Sequence, residues 1–209
     1  MFSIGIAAMI CQMSGNFRGI AEQNADRLFA CQAHARLGWA LAMSGTPDIG
    51  LEHFRRAWDI RDSVDGPVIL RDQFTAMRAE VLFLAGRPAD ALREAQHAVT
   101  LAAAVDAPYS EGLARRVWAS ALMALDPANW SAAECQLRAS LSAFEAGDAR
   151  VEAARTHAAW ARLDIHSDSA REHLSIAREK LTSFGLTDEL RATEEACAGI
   201  GRYLHAAPT

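Results

Sequence analysis

The residues whose types could support chemistry are few and widely separated. The four cysteines are Cys11, Cys31, Cys135 and Cys197, and no two of them form a C-x-x-C motif. Zinc requires three or four clustered ligands, so this spacing favours packed thiols over a metal site. Nothing in the spacing indicates a disulfide framework, and a reducing, cytoplasmic compartment is the simpler interpretation.

The histidines and carboxylates give no stronger signal. His166 and His173 lie seven positions apart, and a metal site there competes with the ordinary interpretation of histidines beside a helix N-terminus. Glu194 and Glu195 lie on a polar stretch with no sign of burial. The sequence contains no G-x-x-x-x-G-K-[ST], H-E-x-x-H, G-x-S-x-G or strand-linked G-x-G-x-x-G motif. We therefore expect a protein that is not an enzyme and has no cofactor or metal.

Composition favours helices. The chain has 209 residues, 51% of them hydrophobic and 22% charged, which suits one domain or a short repeat array. Alanine, the strongest helix former, is the most abundant residue, and the strand formers Val, Ile, Tyr and Thr are scarce. The net charge of −5 gives no bulk electrostatic reason to bind nucleic acid or an anionic membrane.

The N-terminal stretch is unusually apolar. Residues 1–13 resemble the apolar part of a signal peptide, but no Lys or Arg precedes them and the first basic residue is Arg18. The run is also shorter than the roughly 20 apolar residues that a membrane-spanning helix needs. A buried helix is the simpler interpretation. Such a helix fits either the C-terminal part of a longer repeat protein or an N-terminus that packs against a partner or a second copy.

Pairs of small residues recur along the chain, twelve positions apart. Two antiparallel helices approach closely only where both carry a small side chain, so this spacing predicts a series of helical hairpins. In the first two units, Gly45 and Gly86 stand where a helix would end on a left-handed residue. The pairs are Gly38 with Gly50, Ala79 with Ala91, Ala121 with Ala133, and Ala158 with Ala170.

Capping signals mark the predicted turns. Thr46-Pro47 offers an N-cap followed by proline at the first helical position. Ser131 with Glu134, and Ser169 with Glu172, form S-x-x-E capping boxes where the third and fourth units should turn. These signals predict that the second helix of each unit begins nearby.

The pattern resembles the tetratricopeptide repeat (TPR), most clearly over residues 35–58 and 80–99. It is similar to the TPR-like C-terminal regions of large bacterial signalling ATPases and transcriptional regulators. The resemblance implies an all-α, right-handed solenoid of helical hairpins. Four pairs would occupy residues 29–182, after a degenerate repeat at 1–28 and before a capping helix and tail at 183–209.

The resemblance also implies a concave groove lined by the first helix of each pair. Aromatic residues and arginine, which are enriched among interface hot spots, occur at its positions. The groove-facing residues would be Gln32, Trp39, Met43, Gln73, Glu80, Phe83, Arg115, Trp118, Leu122, Glu152, Arg155 and Arg162.

The resemblance implies a protein–protein interaction or scaffolding module. Its groove would hold a peptide, a partner helix or a second copy of the chain, without contact to nucleic acid or membrane. The alternative is the effector-sensing region of a bacterial transcriptional regulator or signalling ATPase, with a small ligand in the groove.

Overall fold

A computed structural model describes residues 27–62, 70–163 and 168–205. These residues are almost entirely helical and contain no strand, which confirms the all-α prediction. The helices are α1 (Arg27–Met43), α2 (Pro47–Asp62), α3 (Arg71–Leu84), α4 (Pro88–Ala104), α5 (Pro108–Leu125), α6 (Trp130–Ala146), α7 (Arg150–Leu163), α8 (Asp168–Ser183) and α9 (Thr187–His205), with a 3₁₀ turn at Pro127–Asn129.

The helices pack as consecutive hairpins. Helices α1 and α2, α3 and α4, α5 and α6, and α7 and α8 each pair through a short turn. We call α1, α3, α5, α7 and α9 the first helices, and α2, α4, α6 and α8 the second helices. Each first helix also packs against the next first helix, and each second helix packs against the first helix that follows it. Within the described ranges, no two second helices pack together to a comparable extent.

Small residues let the paired helices touch in the first two hairpins. A Cβ atom added to Gly38 would lie only 2.7 Å from the Gly50 carbonyl oxygen, and one added to Gly50 would lie 2.5 Å from that of Gly38. In the second hairpin, Ala79 and Ala91 are both fully buried in one cluster. Gly45 has the predicted left-handed conformation, with φ of 93°. These contacts confirm the predicted approach of the helices.

The third hairpin differs from the prediction. Ala119, rather than Ala121, shares a buried cluster with Ala133, and Ala121 packs with Ala91 of the preceding hairpin. A 3₁₀ turn separates α5 from α6, and α6 begins at Trp130, so Ser131 lies inside the helix instead of capping it. The twelve-residue register therefore slips by two residues in this unit, because several alanines of α5 are small enough to meet a neighbouring helix.

The larger core side chains fill the spaces beside these small residues. Phe54, Phe144 and Trp160 are among the largest fully buried side chains. The Phe144 ring lies so close to Gly112 that a Cβ added there would meet ring atoms at 2.8 Å. The first, third and fourth hairpins thus each combine small contact residues with one large buried side chain.

Some predictions fall outside the described residues. Of the predicted N-terminal repeat at 1–28, only Arg27 and Leu28 are described, and Cys11 and His166 are not. In the described part of the chain, no helix combines the length and apolarity required to cross a bilayer.

Enlarging the small contact residues should destabilise the fold. Ala91→Leu and Ala133→Leu insert bulk at fully buried positions, where overpacking typically costs about 1–3 kcal/mol. Ala89→Leu, at an exposed position of the same helix as Ala91, should change stability by less than about 0.5 kcal/mol. Urea denaturation of the three variants measures the difference, and equal midpoints would contradict the packing described here.

Candidate functional site

A line of polar side chains crosses the first helices. It begins at α1, where the Trp39 indole Nε1 donates a hydrogen bond of 2.7 Å to Glu80 Oε2 on α3. The other oxygen of Glu80 lies 3.4 Å from Arg116 Nη2 on α5. One side chain from each of three successive first helices is therefore joined in a single network.

The network continues from α5 to α9. Arg116 Nη2 lies 2.7 Å from Glu152 Oε2 on α7, and Arg116 Nη1 donates to the Glu152 carbonyl oxygen at 3.1 Å. Arg155 bonds Glu152 on its own helix and reaches Glu189 on α9 through two hydrogen bonds of 2.8 and 2.6 Å. We call Trp39, Glu80, Arg116, Glu152, Arg155 and Glu189 the polar ladder.

The middle of the ladder is withdrawn from solvent. The side chains of Arg116 and Glu152 are 7% and 8% exposed, whereas Glu189 at the C-terminal end is 35% exposed. Burial acts to lower the pKa of Arg116, but the charges of Glu152 and Glu80 outweigh it, and the pKa lies above its usual value. Burial likewise acts to raise the pKa of Glu152, and Arg116 and Arg155 outweigh that effect and lower it. Both groups are therefore held in their charged forms.

Four of the twelve predicted groove residues belong to this ladder, namely Trp39, Glu80, Glu152 and Arg155. Arg115 does not belong to it, because its guanidinium bonds Glu111 on its own helix at 2.7 Å and Gln136 on α6 at 2.8 Å. Its neighbour Arg116 takes the place in the ladder. The register slip of the third hairpin explains this difference, since it rotates the face that α5 turns toward α3 and α7.

The predicted apolar groove residues Phe83, Trp118 and Leu122 are partly buried against the core. Phe83 and Trp118 pack on the same cluster, between the second and third hairpins. Leu122 packs on a different cluster, which contains Trp160. Phe83 and Trp118 therefore share a cluster from which Leu122 is separate. Trp118 follows Arg116 by two residues, so it lies on the side of α5 opposite to that ladder residue.

The remaining four predicted groove residues take no part in the polar ladder. Gln32 and Gln73 are half-buried, and within the described part of the chain their side chains form no hydrogen bond. Gln32 precedes Trp39 by seven residues, and Gln73 precedes Glu80 by seven, so each shares a helix face with a ladder residue. Met43 is 46% exposed. Arg162 is exposed, and among the described residues it bonds only the Thr193 hydroxyl, at 3.4 Å.

The sequence analysis missed two residues of this face, Arg116 and Tyr109. Tyr109 precedes Arg116 by seven residues, and it lines a shallow recess together with residues 148–152. Burial and the charge of Glu152 raise the pKa of Tyr109 to about 12, so its phenol stays neutral. The periodicity of α5 gave a signal for both residues, which the assumed register hid. We call the side of the first helices that carries the polar ladder the ladder face.

Two histidine pairs connect first and second helices. His34 and His53 approach through their Nδ1 atoms at 2.8 Å, and His157 and His173 do so at 2.7 Å. His173 also stacks on Trp160, with 4.0 Å between ring centroids. In the described ranges, no group of three or more metal-ligating side chains comes together. The hydrogen bond of each pair links the two helices of its hairpin.

The described cysteines are free thiols in three different environments. Cys31 is buried, Cys197 is half-buried and Cys135 is exposed. Burial raises the pKa of the Cys31 and Cys197 thiols, which keeps them protonated and weakly nucleophilic. The expectation of packed thiols therefore describes Cys31 and Cys197 but not Cys135.

Removing the centre of the ladder should destabilise the protein more than removing the neighbouring arginine. Arg116→Ala leaves the buried Glu152 carboxylate without its main partner, a change that typically costs about 3–5 kcal/mol. Arg115→Ala removes a more exposed i,i+4 ion pair and should cost no more than about 1 kcal/mol. Urea denaturation measures both, and the reverse order would show that Arg115 holds the ladder position.

Acidification should weaken the fourth hairpin through His157. Burial, together with the charges of His173 and Lys180, lowers the pKa of His157 from 6.5 to about 4. The unfolded chain therefore binds a proton that the folded chain does not, so the free energy of unfolding falls as the pH drops from about 6.5 toward 4. Above this window the contribution is constant.

Urea denaturation at a series of pH values tests this expectation. His157→Gln should show a smaller loss of stability between about pH 6.5 and 4 than the unsubstituted protein. His97→Gln changes an exposed histidine on α4 and should keep the original pH dependence. Identical pH profiles for the His157→Gln variant and the unsubstituted protein would assign the acid sensitivity to other groups.

Comparison with known proteins adds no family assignment. The chain matches no protein-family model, and neither the curated proteins nor the solved structures include a significant match.

Proposed function

We propose that the chain is a helical-repeat binding module of the TPR-like type, which holds an extended peptide or partner helix along the ladder face. The observation that carries this proposal is the packing of five first helices side by side, each contributing at least one residue to the polar ladder. A row of parallel helices linked in this way forms a continuous surface across the hairpins.

The packing of the two helix sets supports a concave ladder face. Consecutive first helices pack together, whereas within the described residues consecutive second helices do not pack to a comparable extent. In a stack of hairpins, the layer with the closer spacing lies on the inside of the curve. The ladder face would then be the inner surface of a right-handed solenoid, with α9 covering its C-terminal end.

The groove side chains outside the polar ladder are the ones that would contact a partner. The amides of Gln32 and Gln73 have both donors and acceptors, so they suit the main chain of an extended peptide. Phe83, three residues after the ladder residue Glu80, offers a half-buried aromatic ring for an apolar side chain of the partner. The ladder groups already satisfy one another, and their role is to hold these side chains in fixed positions, which lowers the entropic cost of binding.

Selection of binders from a random peptide library, displayed on phage, tests the proposal with the full chain as bait. The selected peptide is then titrated by calorimetry against Gln73→Ala and Phe83→Ala. Gln73→Ala should weaken binding about tenfold, which corresponds to about 1.4 kcal/mol. Phe83→Ala should cost about 2 kcal/mol or more, as a central aromatic anchor does.

Matched controls come from the second helices. Gln96→Ala changes an exposed glutamine of α4, and Arg93→Ala and Arg178→Ala change exposed arginines of α4 and α8. All three should leave the affinity unchanged. Weaker binding by these controls, with unchanged binding by the ladder-face variants, would place the partner on the second helices, and a selection without enriched peptides would reject the peptide-binding function.

A further inference from the structure

We propose that Arg162 and Thr193 form a carboxylate-binding point at the C-terminal end of the ladder face. This inference rests on the proposed function for the location of the surface, and it adds the chemistry of the partner: a group that carries a carboxylate.

Helix periodicity and one hydrogen bond place the two residues. Arg162 follows Arg155 by seven residues on α7, and Thr193 follows Glu189 by four on α9, so both lie on the ladder face. The Thr193 hydroxyl donates to the Glu189 carbonyl at 2.9 Å and accepts from Arg162 Nη1 at 3.4 Å. Because Thr193 is only 1% exposed, its hydroxyl is a fixed point against which the Arg162 guanidinium is oriented.

Among the described residues, Arg162 differs from the other arginines near this face because it has no carboxylate partner. Arg116 is paired with Glu152, Arg155 with Glu189, and Arg115 with Glu111. No carboxylate of the described residues forms an ion pair with Arg162, and its other guanidinium donors have no hydrogen-bond acceptor there. A planar guanidinium with unused donors is suited to bind a carboxylate through two parallel hydrogen bonds.

The charges around Arg162 favour a bound anion. Its side chain is exposed to solvent, so an anion can reach it. Desolvation by the neighbouring protein and repulsion from Arg116 lower the pKa of its guanidinium, and the attraction of Glu189 and Glu80 does not compensate. An anion bound there would offset the repulsion from Arg116.

The neighbouring charges favour a carboxylate over a phosphate group. Glu189 and Glu80 both act electrostatically on Arg162, and Arg155 and Arg116 already neutralise them in the ladder. A dianionic phosphate would meet these two carboxylates with only one uncommitted arginine to balance it. A single negative charge matches the single uncommitted guanidinium. The carboxylate can belong to a peptide or to a small organic acid.

The first arm of the test uses a small probe. The arginine Nε–H resonances of the full chain are followed by NMR during titration with N-acetylglutamate N′-methylamide, which carries one carboxylate. A saturable shift of the Arg162 resonance is expected, with none from the neutral N-acetylglutamine N′-methylamide. The absence of a saturable shift at Arg162, or an equal shift at Arg93 on α4, would overturn the proposal.

Two variants at position 162 test whether the site needs the planar guanidinium or only its positive charge. Arg162→Gln should lower the affinity for the probe at least tenfold, and Arg162→Lys, which keeps the charge without the fork, should retain part of it. Arg93→Gln is the control for a charge change of equal size on a second helix. Unchanged affinity in the folded Arg162→Gln variant, with its far-ultraviolet circular dichroism preserved, would also contradict the site.

The second arm identifies the source of the carboxylate. Each Asp or Glu of the phage-selected peptide is replaced by its amide, and both versions are titrated against the unsubstituted protein and the Arg162→Gln variant. A peptide source predicts one replacement that weakens binding about tenfold in the unsubstituted protein and has no effect in the variant. If the probe shifts the Arg162 resonance while no amide replacement in the peptide has an effect that requires Arg162, the site binds a small organic acid. If the probe binds and no peptide is enriched, the carboxylate site stands and the peptide-binding function fails.

Discussion

The ion pair between Arg116 and Glu152 is the interaction on which the arrangement of the hairpins depends. Apolar contacts between neighbouring hairpins are non-directional. A buried ion pair is directional, because any displacement leaves a charge without its partner. Arg116 contacts Glu80 on α3 and Glu152 on α7, so one residue of α5 sets the position of both neighbouring first helices.

The small residues and the ladder therefore have separate tasks. Gly38, Gly50 and Ala91 bring the two helices of a hairpin together, and apolar burial supplies the stabilisation. The ladder adds little net stabilisation relative to an apolar replacement, because desolvation offsets much of the attraction between buried charges. What it supplies is a fixed register between hairpins. A surface that spans several hairpins can bind selectively only when that register is fixed.

Much of the fold could be predicted from the sequence, since its signals are local. Turn residues such as Gly45 and Pro47, and the spacing of Gly38 and Gly50, act within a single hairpin, and the structure has them where the pattern placed them. The third hairpin could not be placed correctly, because Ala119 and Ala121 are equally small and only the three-dimensional packing selects between them. The polar ladder was harder to predict than the third hairpin. Arg116 and Glu152 are 36 residues apart, and nothing in the sequence distinguishes Arg116 from Arg115 before the register of α5 is known.

The ladder side chains become more exposed from the buried centre toward the C-terminal end of the ladder, and this determines where local unfolding begins. Glu152 is bound by two arginines deep in the structure, whereas Glu189 at the C-terminal end is 35% exposed and, within the described ranges, pairs only with Arg155. Water can replace the outermost link at small cost, and each step inward becomes more expensive. Local unfolding should therefore begin as fraying of α9 and stop at α7, so that the C-terminal helix detaches and returns many times during the lifetime of the folded centre.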